Sequence, residues 1–263
     1  MTQPVSEVAR PPALEALALS KRIGDDVLAL DAVSLQVPPG EIYCLVGASG
    51  AGKTLLLHMF VGLAMPSAGR AFVFGADAGV DCMSARRQLA YIPKGAPMYS
   101  SLTARQNVEF FARAGGSKRR LDRNECCHAM RRMGIAERHF EARAGSLPSS
   151  VLLSLWLAIA LLRDAPILLI DEPTAAADPY AAAALQEMLG DLRAGGKTLL
   201  VATSDVLLAG AVADRVAILK EGRKRIELTR PELVGRSLFE LYLEYMGRPL
   251  APGKPSLGDA HGS

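Results

Sequence analysis

Eight consecutive residues, Gly47-Ala48-Ser49-Gly50-Ala51-Gly52-Lys53-Thr54, satisfy the spacing GxxxxGK[ST] and have the chemistry to hold a polyphosphate. The glycines let backbone N–H groups approach phosphate oxygens where a Cβ would obstruct them. The Lys53 ammonium can reach the β- and γ-phosphates, and the Thr54 hydroxyl can meet Mg²⁺. A helix opening at Lys53 aims its positive end at the same anion. Far along the chain a second apolar run ends in Asp171-Glu172. Asp171 is suited to hold the Mg²⁺ shell, and Glu172 can polarise an attacking water as a general base. Lys53 and Glu172 are therefore the candidate catalytic residues, 47–54 and Asp171 the candidate nucleotide-binding residues, and Thr54 and Asp171 the candidate metal ligands.

These residues need strands and helices to aim them. Residues 41–46 read as a buried strand after the turn Pro38-Pro39-Gly40, and residues 55–64 as the helix beyond the loop, giving a strand–loop–helix order. The continuous apolar run 167–170 has the character of a strand buried in a parallel sheet. Upstream, 14–37 alternates apolar and polar residues around Gly24-Asp25-Asp26, which predicts an antiparallel hairpin, and 71–74 adds a short strand. Residues 84–162 change to a helical pattern, with Leu102-Thr103 opening a helix that carries Val108, Phe110 and Phe111. Strands at 198–203 and 215–220 then alternate with helices at 180–194 and 206–213, as parallel βαβ units do. The organisation expected is a disordered lead-in at 1–12, one domain over 13–248 with a helical insert at about 84–162, and a disordered tail at 249–263.

Composition narrows the function classes. At 263 residues with 50% hydrophobic side chains, the chain can bury a sizeable core. A net charge of +3 is too slight to argue for a nucleic-acid partner, and Lys118-Arg119-Arg120 and Arg131-Arg132 read as solvated faces. The four cysteines show no paired framework and follow no secretory leader, which points to a reducing cytosol. Cys44 reads as core, Cys126-Cys127-His128 is a poor tetrahedral metal site, and His58 reads as packed. The most apolar stretch, 151–162, falls short of the roughly 20 residues a membrane span needs and reads as a buried helix.

Further motifs surround the loop: Pro39-Gly-Glu-Ile-Tyr-Cys-Leu-Val-Gly47, Tyr91-Ile-Pro93, Leu168-Leu-Ile-Asp-Glu-Pro-Thr174, Asp178-Pro179 and Ala213-Asp-Arg-Val216. With these the chain resembles the ATP-binding subunit of an ABC transporter across about residues 14–248. Residues 98–112 and 239–247 resemble the ABC-2, exporter-like branch. The resemblance implies an α/β P-loop NTPase fold: a RecA-like core with a parallel sheet, an N-terminal antiparallel β subdomain and a helical insert. It also implies ATP with Mg²⁺, an integral membrane permease subunit as partner near 94–111, and a second ATP-binding subunit closing head to tail over the nucleotides. The implied location is peripheral, on the cytoplasmic face of the inner membrane. By the same likeness Asp178 acts across the dimer.

Four positions depart from the family pattern. Ile23 stands where an adenine-stacking aromatic is usual and keeps only apolar contact. Lys94 replaces a glutamine that contacts Mg²⁺ and water; an ammonium has only donors and cannot ligate a cation. The signature Leu-Ser-Gly-Gly-Gln maps onto Leu147-Pro148-Ser149-Ser150-Val151, where serines add Cβ atoms and Pro148 removes an N–H. Pro148 fits a helix start, with Ser146 as its expected cap. Ser204 replaces the switch histidine and has no imidazole. The reading favoured is a weakly hydrolysing subunit paired with a more complete ATPase in an asymmetric dimer; the alternatives are an active homodimeric transport ATPase and a non-transport ATP switch or scaffold.

Overall fold

A computed structural model of the chain describes residues 11–24, 27–114, 121–174 and 179–247. In chain order, the hairpin β1 (Leu14–Ile23) and β2 (Val27–Val37) leads into β3 (Ile42–Val46), the glycine-rich loop and α1 (Lys53–Phe60). Next come β4 (Ala68–Val73), β5 (Ala76–Asp77), α2 (Cys82–Arg87) and β6 (Leu89–Ile92). Three helices follow: α3 (Ala104–Ala114), α4 (Arg123–Arg132) and α5 (Ser149–Leu162). The chain then alternates through β7 (Ile167–Asp171), α6 (Pro179–Ala194), β8 (Thr198–Thr203), α7 (Val206–Val212) and β9 (Arg215–Lys220). It closes with β10 (Arg223–Thr229), α8 (Arg230–Leu233) and α9 (Leu238–Tyr245).

The larger sheet has the order β10-β9-β3-β8-β7-β6 and is parallel except for β10 beside β9. Its central strands read as unbroken apolar runs because both faces are covered, and every residue of β3, β7 and β8 is buried. The period of two sorts their side chains. Ile42, Cys44, Val46, Leu168, Ile170 and Val201 point to the helical side, into one core with α3, α4 and α5. Tyr43, Leu45, Leu169 and Leu200 point the other way, into a second core with Leu56, Leu57 and Phe60 of α1. The smaller antiparallel sheet, β2-β1-β4-β5, covers α1 from outside and places Leu14, Leu19 and Leu30 in that second core. Helix α1 therefore lies between two sheets, which fixes the direction of the loop that starts it.

Two local readings change. Helix α1 ends at Phe60 and does not run to residue 64, because Gly62 adopts φ +65°. The Gly62 N–H then donates to Met59 O at 3.2 Å and the Leu63 N–H to His58 O at 2.8 Å, a glycine-terminated C-cap. The helical pattern expected across 84–162 is interrupted by β6, which pairs in parallel with β7. Four residues are too few to display a period, so a short strand between helices leaves little trace in sequence. Helix α5 is apolar on nearly all sides, with Leu155 and Leu157 fully buried, and Trp156 donates its indole N–H to Pro97 O at 3.2 Å. No described helix is long and apolar enough to cross a membrane.

Candidate functional site

The glycine-rich loop leaves the C-terminal end of β3, where the register of the parallel sheet brings three strand ends together. Val46 of β3 lies beside Thr203 of β8, and Ala202 lies beside Asp171 of β7. The Gly47 N–H donates to Thr203 O at 3.3 Å, and the loop folds back through Ala51 N–H to Ala48 O at 3.2 Å. Gly52, at φ +101°, is the N-cap of α1 and takes a conformation that an L side chain rarely adopts. Gly47 is required for a different reason: a Cβ there would meet Leu219 O at 2.4 Å. Gly47→Ala is expected to destabilise the fold by about 1–3 kcal/mol through this overlap and to weaken nucleotide binding. A urea melt that overlays the wild type would sink that packing argument.

Lys53 is only 5% exposed and its ammonium has three partners. It donates to Gly47 O at 2.6 Å and Ala48 O at 3.1 Å, and pairs with Glu172 Oε1 at 3.0 Å. The other Glu172 oxygen accepts from the Ser204 N–H at 2.9 Å and the Ser204 hydroxyl at 3.0 Å. Burial works against the Glu172 charge, but the Ser204 amide, Lys53 and the Ser204 hydroxyl outweigh it and hold the carboxyl below its usual range. Glu172 also sits at φ +46°, in the left-handed region, with its N–H donated to Ala202 O at 2.8 Å. A buried acid on a strained backbone at a strand end is typical of a working site.

Asp171, 2% exposed, faces the first turn of α1. Its carboxylate oxygens lie 3.0 and 2.8 Å from Thr54 Oγ1. Both groups offer hard oxygen donors on one spot, which suits Mg²⁺. Among the described residues no three or more His, Cys, Asp or Glu side chains converge as a metal site, so such an ion would take most of its shell from phosphates and water. Burial pushes the Asp171 carboxyl above its usual range; the Thr54 hydroxyl opposes this and the neighbouring Glu172 charge adds to it. A raised carboxyl pKa means the folded chain favours the neutral form, so at neutral pH the charge costs stability. Asp171→Asn, which keeps an acceptor for Thr54, is expected to raise the melting temperature without nucleotide or Mg²⁺ by about 2–4 °C. The same change is expected to remove the Mg²⁺-dependent part of nucleotide affinity.

The remaining sequence candidates are more dispersed. Ile23, at the end of β1, is 56% exposed, and Lys94 is exposed in the loop after β6. Asp178 and the run Lys118-Arg119-Arg120 lie outside the described residues. Pro148 is the N-cap of α5 and no side chain caps it; Ser146 donates its hydroxyl to Arg143 O at 2.9 Å, so the expected Ser146 cap is not formed. Ser149 and Ser150 are exposed at this helix start. A cavity of about 470 Å³ is lined by Ser150, Val151, Leu185 and Met188 together with Asp171 and Glu172. Cys44 is buried in the core and Cys126 packs inside the helical insert.

A family model described as ABC transporter matches residues 30–175, a span that holds both the glycine-rich loop and the Asp171-Glu172 pair. The chain belongs to the ABC transporter family. Nod factor export ATP-binding protein I of Rhizobium sp. (strain N33) is 32% identical over 235 residues, covering 89% of this chain and 77% of that relative. Its namesake from Burkholderia orbicola (strain AU 1054) is 33% identical over 228 residues, with 85% and 74% covered. Among solved structures, an ATP-binding subunit of an ABC transporter aligns with a TM-score of 0.76 at 29% identity, over 89% of this chain and 99% of the other. A dimeric ATP-binding cassette bound to ADP and Pi aligns with a TM-score of 0.75 at 23% identity, over 82% and 98%, a likeness of fold alone. This ABC transporter subunit thus has the P-loop ATPase fold and is an ATP-binding component.

Three features of the site are not legible in the sequence. The Lys53–Glu172 ion pair, the double donation from Ser204 to Glu172 and the environment of His58 all join residues far apart in the chain. The only signal available was that each sits at a strand or helix terminus.

Proposed function

We propose that this ABC transporter subunit binds Mg-ATP and is the weakly hydrolysing member of an asymmetric pair of ATP-binding subunits in an export complex. The observation that carries the reading is the intact cluster Lys53, Thr54, Asp171 and Glu172, in a chain whose α5 begins Pro148-Ser149-Ser150 and whose position 204 is serine. Binding chemistry is retained, and the groups that would sense the γ-phosphate across a dimer are altered.

In this reading residues 47–54 hold the phosphates through backbone N–H groups, and an arriving γ-phosphate competes with Glu172 for the Lys53 ammonium. Glu172, released from Lys53 but still bonded to Ser204, accepts a proton from the attacking water as general base. Thr54 and Asp171 would hold Mg²⁺, which when bound neutralises charge on the phosphates. Ile23 gives the adenine apolar contact, Lys94 touches the γ-phosphate as a point charge, and Asp178 acts across the dimer.

The partners in this reading are a membrane permease subunit, docking near residues 94–111, and a second ATP-binding subunit. The chain itself is peripheral, on the cytoplasmic face of the inner membrane. The half-exposed Tyr99 and Phe110, whose rings meet edge to face at 5.1 Å, support the docking surface. Export is supported by relatives named as export proteins.

The test is steady-state ATP hydrolysis by the purified chain, by the membrane complex, and by each carrying Glu172→Gln. The asymmetric reading expects slow turnover by the chain alone and brisk turnover by the complex that survives Glu172→Gln. Brisk, Glu172-dependent turnover by the chain alone would instead establish the active homodimer, which the retained Glu172 favours.

A further inference from the structure

Strands β9 and β10 are joined by a two-residue turn, Glu221-Gly222, and that turn rests on the glycine-rich loop. Lys220 pairs with Arg223, and Glu221 and Gly222 sit at φ +50° and +73°. A two-residue hairpin with both central residues at positive φ follows the twist of its strands and favours glycine. Glycine is needed at 222 for a second reason: a Cβ there would meet Ala29 O of β2 at 2.6 Å. This close approach lets Gly222 spend both backbone groups on its neighbours. Its N–H donates to Ala51 O of the glycine-rich loop at 3.2 Å, and its carbonyl accepts from the Asp31 N–H of β2 at 2.9 Å. Beside it Arg223 donates its Nε–H to Asp31 Oδ2 at 2.7 Å, and on the other flank Lys220 donates to Met246 O at 3.3 Å. Strand β2 closes the contact, because a Cβ on Gly52 would meet Ala29 O at 2.9 Å.

We propose that this turn, through Gly222 and the Asp31–Arg223 pair, is a positioning element that holds the glycine-rich loop in the shape that receives phosphate. A planar trans peptide carries its carbonyl and its N–H on opposite edges. Pinning Ala51 O to Gly222 therefore fixes the direction of the Gly52 N–H, one of the donors that residues 47–54 offer an anion. At the other end of the loop the Leu219 carbonyl, on the strand that leads into the turn, fills the space a Cβ on Gly47 would take. Both ends of the loop thus lean on β9 and its turn. A loop ordered before the ligand arrives loses less freedom on binding, so the turn raises affinity without touching the nucleotide. Arg223 and Asp31 are only partly buried, so their pair is the modest restraint and Gly222 the larger one. The proposal rests on the reading that residues 47–54 hold the nucleotide phosphates.

The experiment titrates the full chain with N-methylanthraniloyl-ATP in Mg²⁺ and measures the urea midpoint alongside. Gly222→Ala is expected to weaken nucleotide binding about tenfold, the worth of one charge-assisted hydrogen bond. It is also expected to speed amide hydrogen exchange across 47–54 while β7 keeps its protection. Asp31→Arg and Arg223→Asp are each expected to weaken binding about threefold with little change in urea midpoint. The double exchange restores an opposite-charge pair and is expected to return the affinity to that of the wild type. A merely structural role would move the urea midpoint and leave the affinity of the folded chain unchanged. Affinities for Gly222→Ala and both charge variants that match the wild type, in an assay where Lys53→Met binds weakly, would overturn the positioning role and leave the loop as the phosphate site. Losses that the double exchange does not restore would overturn it as well. A Lys53→Met chain that binds like the wild type would overturn both readings, and if Gly222→Ala does not fold the charge variants decide.

Discussion

Lys53→Met is expected to lower ATP affinity by about 100-fold and, independently, to destabilise the protein by about 3 kcal/mol in the absence of any nucleotide. The first effect follows, in the proposed reading, from removing the ammonium that would donate to the phosphates; two charge-assisted hydrogen bonds at about 1.5 kcal/mol each account for it. The second follows from burial. Lys53 and Glu172 are 5% and 9% exposed at their side chains, so deleting the cation strands a carboxylate out of water. The two effects separate in the double variant Lys53→Met/Glu172→Gln. A neutral amide at 172 still accepts from Ser204, so the double variant is expected to recover most of the stability and none of the binding. Urea denaturation reads the stability and calorimetric titration with ATP the affinity; a single variant as stable as the wild type would show the pair to be weak.

The same pair sets an acid limit. The Glu172 carboxyl is held below its usual range, so its contribution to stability is complete above the unfolded-state value of about 4.3 and is lost as pH falls through the lowered folded-state value. Asp171 has the opposite sign: its raised carboxyl gains on protonation as pH falls. Acid unfolding of Glu172→Gln compared with Asp171→Asn is therefore expected to shift in opposite directions.

Asn107→Leu is expected to cost about 2–4 kcal/mol and to abolish assembly with the membrane partner. Asn107 is fully buried on α3 and uses its whole amide. Its Oδ1 accepts from the Tyr99 N–H at 2.8 Å, and its Nδ2 donates to Tyr99 O at 3.0 Å and Thr103 O at 3.0 Å, with Leu102 O at 3.4 Å. A leucine of similar volume strands the Tyr99 N–H inside the protein and removes a second donor from the Tyr99, Leu102 and Thr103 carbonyls, which keep their backbone donors. The segment so pinned is the one that presents Tyr99, stacked on Phe111 at 5.5 Å, to the proposed permease surface. Asn107→Asp is expected to fail as well, since a carboxylate would face three carbonyl oxygens. Urea denaturation measures the stability, and co-purification with the permease measures the assembly. A variant that retains full stability but loses assembly would place the effect in the docking surface alone.

Much of this is legible in the sequence alone. The loop 47–54 is a contiguous motif, and β3 before it and β7 that ends in Asp171 are buried on both faces, so their apolar runs stand out without any help from partners. The hairpin 14–37 is legible from its alternation of apolar and polar residues, and helix α5 from its unbroken apolar run. Strand β6 is not, because four residues display no period, and the end of α1 is hidden because an apolar stretch continues past the Gly62 cap. Asn107 gave no signal: a polar residue on a predicted helix reads as solvated until the loop it satisfies is seen to fold over it. Ser204 reads in sequence only as a missing imidazole, whereas in the fold it is a double donor to Glu172.

The residue types and spacings by themselves determined the glycine-rich loop, the two carboxylates and an α/β core, because each depends on contacts within a few residues of the chain. Which carboxylate meets which partner was decided only by the tertiary structure. Thr54 and Asp171 are 117 positions apart, and Glu172 and Ser204 are 32 apart. They meet because the parallel register of β3, β8 and β7 ends three strands on one edge, and because α1 is held between two sheets. Motif chemistry is local, but the geometry that puts Lys53 against Glu172 and Thr54 against Asp171 comes from strand order, which no short stretch of sequence encodes.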